Sequence, residues 1–294
     1  MERNRAPLPL VLGGGGMLGR ALFRRIEVVH PQSIGATRAE IDITDRFRLE
    51  AEVERLRPTV IVNCAAFTDV DGCEVDADLA RRVNAEGAEN VARAAALAGC
   101  RLIHLSTDYV FDGTARRPYV EADGVSPISE YGRSKLRGEE SAARACPDHA
   151  IVRSAWLYGE GRRNFVDTIR LRLTEGGVLR VVEDQVGSPT WVEDLAAAIE
   201  RLITVDYRGV VHFANAGSCS RYEMALAIRD ATGAHGTRLE PVGTDQAGRL
   251  ARRPAYSALD TTLYTRLTGD RPRIWQEALA CYLEATAGRG AMDA

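Results

Sequence analysis

Short, almost continuously apolar runs alternate with longer segments of helical spacing through the first half of the chain. The run at residues 8–12 stops at Gly13, and residues 17–29 repeat apolar positions at helical intervals, which predicts a strand, a tight turn and a helix. A strand near 33–37 follows, then Asp42-Ile43-Thr44-Asp45 ahead of a helix over 47–57 that Thr44 or Asp45 can cap. Residues 59–63 read as a buried strand and 77–98 as one long helix ending at Gly99. Residues 101–106 read as a strand, 130–145 as a helix and 150–154 as a further strand. Strands this apolar, alternating with helices, indicate a parallel sheet covered on both faces, an α/β architecture.

Beyond residue 155 the alternation loosens. Helices are expected over 164–174, 191–203, 221–232 and 274–286, and strands over 179–182 and 209–213, separated by loops rich in Gly, Pro and Arg. This predicts an NAD(P)-binding unit over 1–155, with segments near 190–215 returning to it, and a smaller substrate-binding lobe drawn mainly from 156–294. The tail 288–294 reads as frayed.

Composition narrows the function classes. Hydrophobic residues at 45% and charged residues at 27% are ordinary for a globular protein. With 38 basic against 41 acidic residues the net charge is -3, leaving no basic excess to neutralise nucleic-acid phosphates or an anionic membrane. No apolar run approaches the roughly 20 residues that span a bilayer, and the basic start runs into a short strand and glycines rather than a signal peptide. A cytoplasmic protein is expected. The six cysteines are scattered without a Cys-x-x-Cys pair, so they read as small hydrophobes rather than a metal or disulfide framework.

The first candidate chemistry lies in Gly13-Gly14-Gly15-Gly16-Met17-Leu18-Gly19. Gly13, Gly16 and Gly19 fit G-x-x-G-x-x-G, and Gly14 and Gly16 also permit G-x-G-x-x-G. Such a turn after the first strand lets backbone approach a pyrophosphate, which then sits on the N–H groups of the next helix. The predicted fold is therefore Rossmann-type and doubly wound. After the second strand, Thr37-Arg38 stands where an NAD enzyme often has an acidic residue. Arg38 can take a 2′-phosphate, favouring NADPH with NADH left open, and reads equally as a solvated surface charge. Asn63-Cys64-Ala65-Ala66 follows a strand and can line the cofactor or form a packing corner. Thr68-Asp69-Val70-Asp71 can cap a helix or touch substrate.

Tyr131 and Lys135, four apart on the predicted helix, project from one face. A free phenol has a pKa near 10, so a neighbouring ammonium is expected to draw Tyr131 toward the working range. Thr107, at the end of the 101–106 strand, lies where open α/β sheets bind ligands, and its hydroxyl can orient a carbonyl oxygen beside Tyr131. Donor, tuner and cradle together point to hydride transfer at a carbonyl.

The same residues carry a resemblance. The chain resembles the extended short-chain dehydrogenase/reductases and, within them, the dTDP-4-dehydrorhamnose reductase family. The likeness runs through Gly13 to Gly19, Asp42-Ile-Thr-Asp45, Asn63 to Asp71, Val83-Asn84, Ser106-Thr-Asp-Tyr-Val-Phe-Asp-Gly113, Tyr131 and Lys135. It continues through Arg153-Ser-Ala-Trp-Leu-Tyr158, Asn164-Phe165, Asp184-Gln-Val-Gly-Ser-Pro-Thr190 and Arg253-Pro-Ala-Tyr-Ser257. It implies cofactor contacts at Gly16, Met17, Leu18, Asp42, Ile43, Ala66, Phe67, Thr68, Leu105, Tyr131 and Lys135, with Ala65 beside them. It implies sugar-nucleotide contacts at Thr107, Asp108, Tyr131 and Trp156, although Trp156 also reads as a core aromatic. Met17 replaces a common Gln, and Arg221 a usual Trp. Related dehydratases carry Asp-Glu after the threonine; here Asp108 is followed by Tyr109, which favours simple carbonyl reduction.

The expected activity is NAD(P)H-dependent reduction of the C4 carbonyl of a dTDP-4-keto-6-deoxy-hexose, with dTDP-4-dehydro-L-rhamnose foremost. Another deoxysugar remains an alternative. A third reading is a non-catalytic NADP-binding regulator like the beta subunit of methionine adenosyltransferase, against which the intact Thr107, Tyr131 and Lys135 set speaks. A homodimer is compatible with the resemblance, and Mg2+ is allowed but not indicated, since no carboxylate cluster calls for a metal.

Overall fold

The computed structural model describes residues 7–287, so the tail 288–294 lies outside the described residues. The first half alternates strand and helix: β1 (Pro9–Leu12), α1 (Met17–Val29), β2 (Ile34–Ala36), α2 (Arg46–Leu56) and β3 (Val60–Asn63) come first. After them come α3 (Val70–Val75), α4 (Ala77–Arg81), a π-helical turn (Arg82–Glu86), α5 (Gly87–Leu97), β4 (Arg101–Thr107), α6 (Glu130–Ala145) and β5 (His149–Ser154). The expected helix over 77–98 is thus interrupted, and α3, too short to show a period, precedes it as a separate turn. Asp45 is the residue that caps α2, accepting from the Arg48 N–H, and Asp69 caps α3 from the Gly72 N–H.

The second half adds β6 (Leu157–Tyr158), α7 (Phe165–Thr174), β7 (Gly177–Val182), β8 (Val186–Gly187), β9 (Thr190–Trp191), α8 (Val192–Thr204) and β10 (Gly209–His212). It ends with β11 (Cys219–Ser220), α9 (Arg221–Thr232), β12 (Thr237–Val242), α10 (Thr262–Thr268) and α11 (Trp275–Thr286). β12 and α10 have no clear pattern in the sequence. β12 is an irregular Thr-Arg-Leu-Glu-Pro-Val strand whose pairing with β7 holds it.

Six strands form one parallel sheet in the order β10-β5-β4-β3-β1-β2. The register sets Val11 beside Val62, Val62 beside Ile103, and Ile103 beside Ala150. Alternation then divides the strands between two cores. Val11, Val62 and Ile103 face α1 and α8 with Leu22, Ile26, Leu195 and Ile199; Leu10, Leu12, Ile61 and Leu102 face the opposite layer with Leu49, Val53 and Val91. This is the doubly wound α/β architecture expected, and burial on both faces explains the uninterrupted apolar strands. A third core, built from Tyr158, Val166, Ile169, Met224, Ile228, Trp275 and Leu279, unites the later segments. Because β2 and β3 flank β1 on opposite sides, the winding reverses at β1, and the carboxyl ends of β1, β3, β4 and β5 lie along one edge, where open α/β sheets bind ligands. No helix among the described residues is long and apolar enough to cross a membrane.

Candidate active site

The glycine turn crosses the carboxyl edge between β1 and α1. Gly13 has φ +79°, and a Cβ on it would lie 2.7 Å from the Ala65 nitrogen; one on Gly19 would lie 2.2 Å from the Gly13 oxygen. Only glycine permits this turn to lie against the Cys64–Ala65 backbone and the helix start. The Gly14 N–H donates to the Ala36 oxygen at 2.8 Å, fastening the turn to the end of β2. Gly15 and Gly16 remain exposed. At the start of α1, Gly16 offers no side-chain cap and the first turn carries no acidic residue. Exposed backbone at an uncapped, acid-free helix start suits a pyrophosphate.

The other expected cofactor residues lie along this edge with different exposures. Ala65, Ala66 and Phe67 are half-buried after β3, and Thr68 is exposed and accepts from Arg162. Leu18, Ile43 and Leu105 are buried, with side chains in the two sheet cores, so their backbones alone face the edge. Asp42 takes the Thr44 N–H and hydroxyl, and Arg38 is exposed with its Nε donating to Asp42 at 3.1 Å. Asp71 is drawn away from the cap, pairing with Arg253 and taking the Ala251 N–H.

Helix α6 brings in Tyr131 and Lys135. Ser129 caps it through the Gly132 N–H, and the buried Glu139–Arg153 pair at 2.7 Å ties it to β5, with the Ser106 hydroxyl on the same carboxylate. Lys135 is 3% exposed, and its Nζ donates to the Leu105 carbonyl at 2.6 Å. Burial lowers its pKa to about 8, against the opposing pull of Glu139. Tyr131 places its phenol beside Thr107 and meets the Tyr109 ring edge-on at 5.5 Å. Burial pushes the Tyr131 phenol above its ordinary value, opposed by the Thr107 contact. This corrects the expectation that Lys135 draws the phenol down: the ammonium is committed to a backbone carbonyl, and desolvation dominates.

Thr107 ends β4 and donates to Asp108 Oδ1 at 2.9 Å. Asp108 is 2% exposed; burial raises its pKa to about 6, while Ser257, Thr107 and Arg221 act the other way. Its Oδ2 has no hydrogen-bond partner. Trp156, just past β5, sits at φ +48° in the left-handed region, a conformation costing roughly 1–2 kcal/mol for a residue with a Cβ. The Thr190 N–H holds its carbonyl at 3.2 Å, and its indole lies where a Gly187 Cβ would come within 2.4 Å of Cε2. The Arg221 guanidinium lies 3.5 Å over the Trp156 ring and 4.8 Å from that of Phe165. The glycine of the Asp184–Thr190 segment is thus needed to seat an indole.

Two residues position the site without a role legible in the sequence. Asn84, within the π-helical turn, takes the Phe67 N–H at 2.8 Å and donates to the Phe67 oxygen at 2.9 Å and to Ser134 Oγ at 3.0 Å. It joins the loop after β3 to the helix bearing Tyr131. Asn63 pairs with the buried His104 Nδ1 at 3.2 Å beneath the site. For Asn84 the residues themselves offer one signal, a polar Asn inside a helical pattern. The cysteines are free; Cys64, beside the turn, is pushed up to about 12 by burial. Among the described residues, no three His, Cys, Asp or Glu gather into a metal-holding group.

This geometry has relatives. The RmlD substrate binding domain family model matches residues 9–287. The chain belongs to the dTDP-4-dehydrorhamnose reductase family. It is 42% identical to a dTDP-4-dehydrorhamnose reductase of Mycobacterium tuberculosis, covering 99% of this chain and 97% of that protein. It is also 42% identical to a dTDP-4-keto-6-deoxy-D-glucose reductase of Streptomyces niveus, covering 92% and 94%. The crystal structure of a Bacillus anthracis dTDP-4-dehydrorhamnose reductase in complex with NADP superposes with a TM-score of 0.92 at 36% identity, covering 96% of this chain and all of that one.

Proposed function

We propose that this member of the family is an NAD(P)H-dependent sugar-nucleotide 4-ketoreductase, reducing the C4 carbonyl of a dTDP-4-keto-6-deoxy-hexose, with dTDP-4-dehydro-L-rhamnose converted to dTDP-L-rhamnose. The observation that carries the reading is the gathering of Thr107, at the carboxyl edge of β4, with Tyr131 and, one helical turn on, the buried Lys135 bound to the Leu105 carbonyl. Tyr109, standing where an eliminating relative carries Glu, supports reduction over dehydration.

The glycine turn, where Gly13 and Gly19 leave no room for a Cβ and the following helix start has no side-chain cap, fits a dinucleotide. Gly13, Gly16, Met17 and Gly19 would hold its pyrophosphate, and Asp42, Ile43, Ala65, Ala66, Phe67, Thr68 and Leu105 would border the rest. Arg38 would meet a 2′-phosphate. When bound, NADPH supplies the hydride that adds to C4. Tyr131 then acts as the acid: the burial that raises its pKa keeps the phenol protonated at neutral pH, ready for the forming alkoxide. Thr107 turns its hydroxyl from Asp108 to the same oxygen. Lys135, released from the Leu105 carbonyl, holds the ribose hydroxyls and thereby fixes the ring against the ketone. Such orientation accounts for roughly 7–11 kcal/mol of barrier lowering in well-ordered sites. Residues 1–155 and the returning segments near 190–215 form the cofactor side in this reading; the pairing of β10 with β5 and of α8 against α1 supports that division. The remainder of 156–294 forms the sugar side.

The direct test is NADPH oxidation with dTDP-4-dehydro-L-rhamnose and NMR assignment of the C4 configuration in the product. Turnover only with dTDP-4-keto-6-deoxy-D-glucose would instead favour the second reading, another deoxysugar, which the equal similarity to the Streptomyces niveus reductase supports. Cofactor binding without oxidation by any 4-keto sugar nucleotide would favour the regulatory reading.

A further inference from the structure

Arg221 is a cation placed where its own surroundings disfavour it. It is the first residue of α9, a twelve-residue helix whose amino-terminal end already carries positive partial charge. Burial lowers its pKa to about 10, with Tyr109 and Asp108 acting in the opposite sense. Among the described residues no carboxylate lies within ion-pair distance of it, and its guanidinium makes no side-chain hydrogen bond. Three other arginines differ: Arg153 is paired with Glu139, Arg253 with Asp71 and Arg273 with Asp194. What fixes Arg221 is stacking, at 3.5 Å over Trp156 and 4.8 Å from Phe165. Stacking engages the face of a guanidinium and leaves its rim of N–H donors unspent.

Trp156 is itself held in a left-handed conformation on the Gly187 platform, so the stack is maintained against local backbone preference. On the same side, buried Asp108 keeps an unpartnered Oδ2, a polar atom enclosed without a hydrogen-bond donor of its own. Since Arg221 covers one face of the indole, that face is closed to a sugar or a base. The place presents instead a pre-oriented, half-buried set of guanidinium N–H donors that no carboxylate pairs with directly. An isolated carboxylate, phosphate or diphosphate complements it, and within the sugar-nucleotide reading the anionic part of the substrate is the diphosphate.

We propose that Arg221, laid flat on Trp156, is a specificity-determining residue that binds a phosphoryl oxygen of the substrate's diphosphate. The proposal rests on the sugar-nucleotide reading of the site. The binding places the hexose on the Thr107–Tyr131 side, where Asp108 Oδ2 is free to meet a sugar hydroxyl. Arginine is suited to this because it stays charged at neutral pH and offers paired donors to one phosphoryl group.

The test compares dTDP with thymidine, which share the nucleoside and differ in the diphosphate, by calorimetry on protein saturated with NADP+. The wild-type protein is expected to prefer dTDP. In Arg221→Gln, dTDP affinity should fall roughly tenfold to hundredfold, the range for losing hydrogen bonds to a charged group, while thymidine affinity changes less than about threefold. Arg221→Lys, which keeps the charge and loses the stack, should retain part of the preference. NADP+ affinity should be unchanged in both variants and serves as the measure of intact folding. Equal weakening of dTDP and thymidine in either variant would show that Arg221 only shapes the pocket and would overturn the proposal, as would an unchanged preference for dTDP in Arg221→Gln. Should that variant not fold, Arg221→Lys decides by the same ratio. Absence of dTDP binding to the wild-type protein would instead overturn the sugar-nucleotide reading on which the proposal stands.

Discussion

Lys135 donates its ammonium to the Leu105 carbonyl at 2.6 Å, so one helical turn separates it from the Tyr131 phenol it accompanies without touching. The two side chains share a helix face but have separate duties. In the proposed reaction Tyr131 serves the carbonyl beside Thr107, and Lys135 leaves the strand end for the cofactor's ribose. Removing the phenol hydroxyl should therefore leave cofactor binding alone. In Tyr131→Phe, kcat is expected to fall about 10²–10⁴-fold, with the NADPH dissociation constant within about twofold of wild type. Fluorescence titration and steady-state assays separate the two quantities, and near-wild-type kcat would remove Tyr131 from the reaction.

The lowered pKa of Lys135 sets an alkaline limit. With a value of about 8, its charge is present below that pH and lost as pH rises through it. The reductase rate should hold through neutrality and decline above about pH 8, whereas Tyr131, pushed upward by burial, stays protonated throughout. The measurement is kcat/KM for NADPH across roughly pH 6–10, a range that brackets the lysine but not the phenol. A profile flat to the alkaline end would mean that the charge on Lys135 is not needed.

Asp108 offers a stability readout with the opposite sign from an ordinary ion-paired carboxylate. Its folded pKa of about 6 lies above the ordinary value of 3.8, so between these values the folded protein binds more protons than the unfolded chain. Stability from this group is full below about pH 4 and is lost as pH rises to about 6. Asp108→Asn removes the buried charge. The variant should match wild type near pH 4 and exceed it at about pH 8 by about 1–3 kcal/mol, since each tenfold change in proton affinity is worth about 1.4 kcal/mol. Urea unfolding at the two pH values measures the difference. A variant less stable than wild type at the higher pH would contradict it.

Most of the sheet is legible in the sequence because its strands are buried on both faces and its helices carry a regular helical period. The bounds of α6 and α9 agree with the pattern at both ends, Ser129 and the Ser220–Glu223 capping box marking the starts. The interruption of the long helix is not legible. A π-helical turn inserts one residue into an otherwise regular ladder, and Arg82-Val83-Asn84-Ala85-Glu86 has ordinary helix composition. The partners of Asn84 lie in Phe67 and Ser134, far away in sequence. The same holds for the Arg221–Trp156 stack, which joins two stretches of chain that no local pattern connects. The raised pKa of Tyr131 escapes the sequence for a related reason. Helical spacing reports which groups share a face, whereas desolvation depends on what the rest of the fold lays over them.

Arg38 bears on which cofactor is preferred. Its Nε donates to Asp42 while the side chain stays largely exposed, next in sequence to Thr37, which borders Gly15. That leaves its terminal nitrogens to meet a 2′-phosphate. Arg38→Ala should raise KM for NADPH about tenfold and leave KM for NADH within about twofold, because only the first carries the extra phosphate. Equal effects on both cofactors would make Arg38 a surface charge and leave NADPH preference to other groups.

Gly132 tests the fit of the catalytic helix. A Cβ there would lie 2.2 Å from the Tyr109 oxygen and 2.9 Å from the Pro127 Cβ. The first contact is with backbone, which has little room to yield. Gly132→Ala must therefore move the start of α6 away from the end of β4, separating Tyr131 from Thr107. Overpacking of this kind costs about 1–3 kcal/mol or more. The same displacement should lower kcat more than it raises KM for NADPH, since Lys135 sits one turn further along the helix, where the displacement is smaller. Thermal unfolding and steady-state kinetics together check both halves. A Gly132→Ala protein with wild-type Tm and kcat would mean that the Tyr109 loop moves freely and that Tyr131 is not held by this contact.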